Sequence, residues 1–217
     1  MRVQSMAIPA VIAGALTIAV PAFAGPPLLC HPFDIGQAQS LPWNGTTSWS
    51  QGQAGYDVQH VIADTDAILT PTTPVIVRME TLRRAVIYAS QDGKVASSLI
   101  AHVLGRVKAT ETAGHPDALA YLDAAYVAEA MREVAMLGQS SEFRDRANNV
   151  RPLVQEGRGY ALIQRGLALR PDDPALHFAA ALIAADGNRS AYVTHAAKAR
   201  AGASGDPLLA RNIDHVS

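Results

Sequence analysis

From residue 57 onward apolar positions recur every three to four residues, the spacing that gathers them on one face of an α-helix. Val58, Val61, Ile62, Thr65, Ile68 and Leu69 form the first stripe, with Asp57 as N-cap and Thr70-Pro71 as the stop. Thr73-Pro74 predicts the next start, a capping hydroxyl followed by proline at the first helical position. Val75, Met79, Leu82, Val86 and Ala89 make the inner face of that helix. Asp92 caps a third helix with Val95, Leu99, Val103 and Val107 inside. Pro116 opens a fourth, carrying Leu119, Leu122, Tyr126, Ala130, Val134 and Leu137 to Gly138. Residues 139–149 read as a polar junction. The next helix runs to Leu169, and Gly157, Gly159 and Gly166 within it point to close helix–helix approach. Asp173-Pro174 begins another, Asp186-Gly187-Asn188 divides it from a helix over 189–203, and Asp206-Pro207 starts a short last one. No alternating strand pattern competes with these helices.

Residues 25–56 break the periodicity. They hold Pro26, Pro27, Pro32, Pro42, both tryptophans and no Lys, Arg or Glu. This composition predicts an extended lead-in with turns at Asn44-Gly45 and Gly52. Its apolar residues, among them Leu28, Leu29, Phe33, Leu41, Trp43 and Trp49, need cover from the helices. Ahead of it, Arg2, an uncharged run from Ala7 to Val20, Pro21 and Ala22-Phe23-Ala24 follow the order of a secretory signal, with cleavage between Ala24 and Gly25. A bilayer span needs about 20 apolar residues, and this run is shorter and interrupted by Pro9 and Gly14. The expected organisation is a signal peptide at 1–24, a lead-in at 25–56 and a helical domain at 57–217. The expected location is periplasmic or secreted, with no stable membrane anchor after cleavage.

Composition narrows the function classes. Without its first 24 residues the chain carries 17 Lys+Arg against 19 Asp+Glu. That balance lacks the basic stripe of a nucleic-acid binder. Cys30 is the only cysteine, so an exported chain has no internal disulfide, and its thiol is a candidate for an intermolecular one.

Helix starts near 57, 74 and 92, and again near 173, 189 and 206, are 16 to 18 residues apart. Two such helices make the period of a helix–turn–helix repeat. Gly159, Ile163, Gly166 and Pro171, and one unit later His195, Ala199, Gly202 and Pro207, resemble the second-helix pattern of the tetratricopeptide family over residues 145–210. The Trp and Gly-Tyr of that family's first helix are missing. The wider chain also resembles exported bacterial proteins with a cysteine-containing lead-in, a likeness that implies no chemistry. The expectation is an all-α array of seven or eight helices, right-handed and tetratricopeptide-like, preceded by the extended segment. Such an array implies a concave surface for a peptide or protein partner.

Candidate chemistry is sparse. No serine-hydrolase elbow, P-loop, dinucleotide fingerprint or H-E-x-x-H occurs, so no catalytic residue is assigned and no cofactor is expected. Cys30-His31 offers two soft-to-borderline ligands and carries the alternative of a metal- or thiol-dependent protein, although a structural zinc site wants four. Arg78, Arg83 and Arg84, clustered with Glu80, are candidates for gripping a partner or for an internal ion-pair network. Trp43 and Trp49, set among Asn, Thr, Ser, Gln and Gly, are candidates for a binding loop or for pinning the lead-in.

Overall fold

A computed structural model describes residues 26–44 and 48–216. The signal segment, its cleavage pair Ala24 and Gly25, and the Gly45 half of the predicted turn lie outside the described residues. Among the described residues nine α-helices follow one another: α1 Val61–Ile68, α2 Val75–Ala89, α3 Gly93–Thr112, α4 Ala118–Met136, α5 Arg144–Val150, α6 Arg158–Leu169, α7 Pro174–Ala184, α8 Arg189–Gly202 and α9 Pro207–Asn212. No strand occurs among them, and Trp43 and Gly52 form one isolated antiparallel bridge in the lead-in. None of these helices is long and apolar enough to cross a membrane. The fold is all-α.

Local chemistry explains most helix starts. Asp92 accepts from the backbone N–H of Lys94 and Val95, Asp173 from Ala175 and Leu176, and Asp206 from Leu208 and Leu209. Each satisfies N–H groups that a helix cannot bond internally. Three predicted starts differ in detail, the first because Asp57 caps a 3-10 turn, Val58–His60, that precedes α1. The Thr73 hydroxyl does not cap α2; it donates to the Ile68 carbonyl and accepts from Thr70 N–H, closing the end of α1 instead. Helix α4 starts at Ala118 behind the Asp117 cap, so Pro116 stands just outside it.

The polar junction at 139–149 contains a helix. In α5, Ala147 and Val150 are buried, and Phe143 just before it joins them at helical spacing. Three apolar contacts in a run of Arg, Asp and Asn are enough to dock a single short helix, because packing rather than propensity supplies most helical stability.

Helices α4 and α7 form the centre. Helix α4 packs against α2, α3, α5, α6 and α7, and α7 against α2, α4, α6 and α8. Ala175 to Ala184 of α7 are all buried, which its unbroken apolar sequence requires. The close approach expected at the glycines of α6 occurs on α4. A Cβ on Gly159 would sit 2.9 Å from Glu129 Cβ and 3.1 Å from the Ala125 carbonyl, and one on Gly166 would sit 3.2 Å from the Ala118 carbonyl. Gly157 has another role: its φ of 71° starts α6 from a left-handed turn that other residues resist.

Candidate functional site

Helix α2 is buried on every side except at Arg84. Its charged residues must therefore find partners inside, because an unpaired buried charge is strongly unfavourable. Arg78, 1% exposed, makes a two-pronged contact with Asp123 of α4 (Nε to Oδ1 2.8 Å, Nη2 to Oδ2 2.6 Å) and donates to the Thr70 carbonyl at 2.7 Å. Glu80 accepts from Arg83 through both oxygens at 2.8 Å, from Arg84 Nε at 2.7 Å and from the backbone N–H of Phe33 at 3.1 Å. Burial alone would raise the Glu80 pKa, but the two guanidinium groups outweigh it and hold the carboxyl below its ordinary value.

The remaining donors of this cluster bind the lead-in. Arg83 Nη1 donates to the carbonyls of Trp49 at 2.8 Å and Leu29 at 3.3 Å, and Arg84 Nη1 donates to that of Leu41 at 2.5 Å. Tyr88 donates to the Pro42 carbonyl and accepts from Gln53 N–H. On α4, both oxygens of buried Glu133 accept from Leu28 N–H, while Tyr126 donates to the Leu28 carbonyl. Trp43 packs its edge on Tyr88 with the Arg83 guanidinium 4.7 Å from its ring centre, and Trp49 stacks on Phe143 at 5.2 Å. The candidate partner-binding residues Arg78, Arg83, Arg84, Trp43 and Trp49 thus all engage other parts of this chain. Arg78 and Arg83 are buried, and their charges are matched by Asp123 and Glu80.

Cys30 and His31 lie half-buried beside this seam. Among the described residues no three His, Cys, Asp or Glu side chains are grouped to hold a metal ion. Burial, then the nearby Glu133, pushes the Cys30 thiol up to about 12, against a lowering by Arg83. A thiol with that pKa is about one part in ten thousand thiolate at pH 8, and the thiolate is the reactive form. Native protein treated with iodoacetamide at pH 8 is expected to react at Cys30 at least about a hundredfold more slowly than protein in urea. Equal rates would show an open, ordinary thiol. The intermolecular disulfide expected of an exported lone cysteine needs the same thiolate and is slowed equally.

A cavity of about 400 Å³ opens where α4, the start of α6 and the α7–α8 turn meet. Its polar lining is Glu129 and Arg132 from α4, Glu156 and Tyr160 at the start of α6, and Asp186 and Asn188 from the turn, while Ile183 supplies an apolar wall. Arg132 spans the site, donating from Nε to Glu129 Oε1 at 2.6 Å and from Nη2 to Asp186 Oδ2 at 3.1 Å. The Glu129 side chain is 8% exposed, and its Oε2 lies against α6, 2.9 Å from a Cβ built on Gly159. Burial raises its pKa, with Arg132 pulling in the opposite sense.

Behind the cavity, Tyr160 joins a histidine pair. His177 Nε2 donates to the Pro171 carbonyl at 2.8 Å, since a carbonyl only accepts. In neutral His177 the Nδ1 must then accept, so His195 Nδ1 donates across 2.9 Å, and His195 Nε2 accepts from the Tyr160 hydroxyl at 3.3 Å. Burial, followed by His177 and Lys198, lowers the His195 pKa and favours the neutral form of that ring. This latch ties α6, α7 and α8 together and holds the Tyr160 side chain at the cavity edge.

Sequence reasoning passed over Glu129, Arg132 and Asp186. A usable signal existed, because Asp123, Glu129 and Glu133 are acids within an alanine-rich helix whose apolar stripe predicts burial. With the fold and site in view, comparison adds no relative: no family model, curated protein or solved structure matches the chain.

Proposed function

We propose that this is an exported, non-enzymatic helical-repeat protein that binds a peptide or protein partner, with the α4–α6–α7 cavity as the seat. The cavity carries the reading: its volume of about 400 Å³ falls in the range of small-ligand and side-chain sites, and it combines an apolar wall with a few convergent polar groups. It lies beside the helices that resemble tetratricopeptide repeats. In them Ile163 and Ala199 fill buried positions, and a Cβ on Gly202 would meet Pro174 at 2.5 Å, as close helix pairing in such a repeat requires. Export rests on the signal-like order of Arg2, the run from Ala7 to Val20 and Ala22-Phe23-Ala24.

Selection of peptides from a random displayed library on the purified protein tests the reading. Gly187 lines the cavity and has open space around its Cβ position, so Gly187→Trp plugs the mouth without crowding the backbone. Enriched peptides are expected to lose roughly tenfold or more in affinity for Gly187→Trp. They should keep their affinity for Gly105→Trp, an exposed site on α3. Failure to enrich any peptide, or equal binding to the plugged variant, would count against the cavity as the seat.

A further inference from the structure

We propose that the cavity seats a positively charged alkyl chain, an ammonium or guanidinium group on an aliphatic stem, as a lysine or arginine side chain of a peptide presents it. The inference rests on the binding reading above and names the chemistry of the same site.

Charge decides the sign. The lining has three carboxylates, Glu129, Glu156 and Asp186, and one guanidinium, Arg132. The starts of α6 and α8 also face this region, and each contributes at most about +0.5 of a charge. The sum stays near −1, so an anion is repelled and a cation attracted. Position then decides where the charge sits. Glu129 lines the cavity with one oxygen on Arg132 and the other beside the α6 backbone, 2.9 Å from a Cβ built on Gly159. Two carboxylates, Glu129 and Asp186, share the single Arg132 guanidinium, and an N–H of an entering cation supplies the missing counter-charge. Arg132 is already divided between them, with Nε on Glu129 and Nη2 on Asp186 across the mouth. Shape favours a stem behind the charge. Ile183 offers an apolar wall, and the Tyr160 ring, held by the His195 latch, offers a face for methylenes or for the cation itself.

The site also makes binding pH-dependent. The groups facing Glu129 are Arg132 from its own helix, Glu156 just before α6, Tyr160 within it, and Asp186 from the α7–α8 turn. A proton on Glu129 competes with the cation. Affinity is therefore full above the carboxyl pKa of the free protein and falls as pH drops through it. Burial places that fall above the ordinary glutamate range.

Titration calorimetry on the full-length purified protein tests this with three blocked tripeptides, Gly-Lys-Gly, Gly-Ala-Gly and Gly-acetyllysine-Gly, and with 1,5-diaminopentane. The lysine peptide is expected to bind, and the alanine and acetylated peptides to bind at least about tenfold more weakly. Glu129→Gln, which keeps shape and removes charge, and Glu156→Gln at the exposed rim should each weaken the lysine peptide, Glu129→Gln by about tenfold or more. Lowering the pH from 8 to 5 should weaken it in the wild type and change Glu129→Gln much less. Tighter binding of the peptide than of the diamine supports a protein side chain as the source, and the reverse supports a free polyamine. Equal affinity for lysine and acetyllysine peptides, or no binding of either cation, overturns the proposal. If the cations fail while library peptides lacking Lys and Arg still depend on an open cavity, the charge assignment falls and the binding reading stands. If nothing depends on the cavity, both fall.

Discussion

Glu80→Ala is expected to destabilise the protein by about 3–5 kcal/mol, the range seen when one partner of a buried ion pair is removed. The Glu80 carboxylate is shared by Arg83, Arg84 and the backbone of Phe33. Without it the Arg83 guanidinium, wholly buried, keeps only carbonyl acceptors and no counter-charge. For a domain of this size the loss lowers Tm by roughly 10 °C. The damage should be local at first. The lead-in is held through Leu29, Phe33, Leu41 and Trp49, so residues 26–56 of the variant should be cut by protease faster than the helices. A Tm within about 2 °C of wild type, with unchanged cleavage, would mean that the hub is not formed in solution.

Asp123→Ala should cost about as much, 3–5 kcal/mol, through the same mechanism at a separate place. Arg78 and Asp123 join α2 to α4 with both residues 1% exposed, and Arg106 approaches the same carboxylate at 3.4 Å. The informative comparison is the double variant Arg78→Met/Asp123→Leu. Replacing both charges by apolar side chains removes the orphaned guanidinium, so much of the stability should return despite the lost bonds. Chemical denaturation of the three proteins measures this. A double variant as unstable as Asp123→Ala would show that the lost attraction of the pair, rather than an uncompensated charge, accounts for the cost.

These two clusters show where sequence reasoning succeeds. Asp92, Asp173 and Asp206 could be placed as caps because a cap is a relation between residues two or three apart. Burial of Arg78 and Arg83 was also within reach, since Val77, Ile87 and Tyr88 leave α2 no polar face. What the arginines hold was not. The carbonyls of Leu29, Leu41 and Trp49 are between 34 and 54 positions away from them and carry no mark in the sequence. Helix α5 was hidden because only Phe143, Ala147 and Val150 reveal it among charged neighbours.

The cavity was illegible for a related reason. Glu129 and Arg132 look like an ordinary surface pair three apart on a helix, and Asp186 looks like a turn residue. Only the seating of α6 on α4 through Gly159, and the return of α7 beside it, turns them into one lined space. The histidine latch was nearer to hand. His177 and His195 lie nine positions either side of Asp186 in the α7–α8 turn, and residues equidistant from a short turn meet when the two helices pack antiparallel.

Amide chemical-shift mapping of the lysine tripeptide on the isotope-labelled protein tests the central claim most directly. Saturable shifts confined to the backbone around Glu129, Gly157, Tyr160 and residues 184–188, absent in Gly187→Trp, are the predicted result. Shifts scattered over the α3 surface, or shifts that persist unchanged when the cavity is plugged, would contradict it.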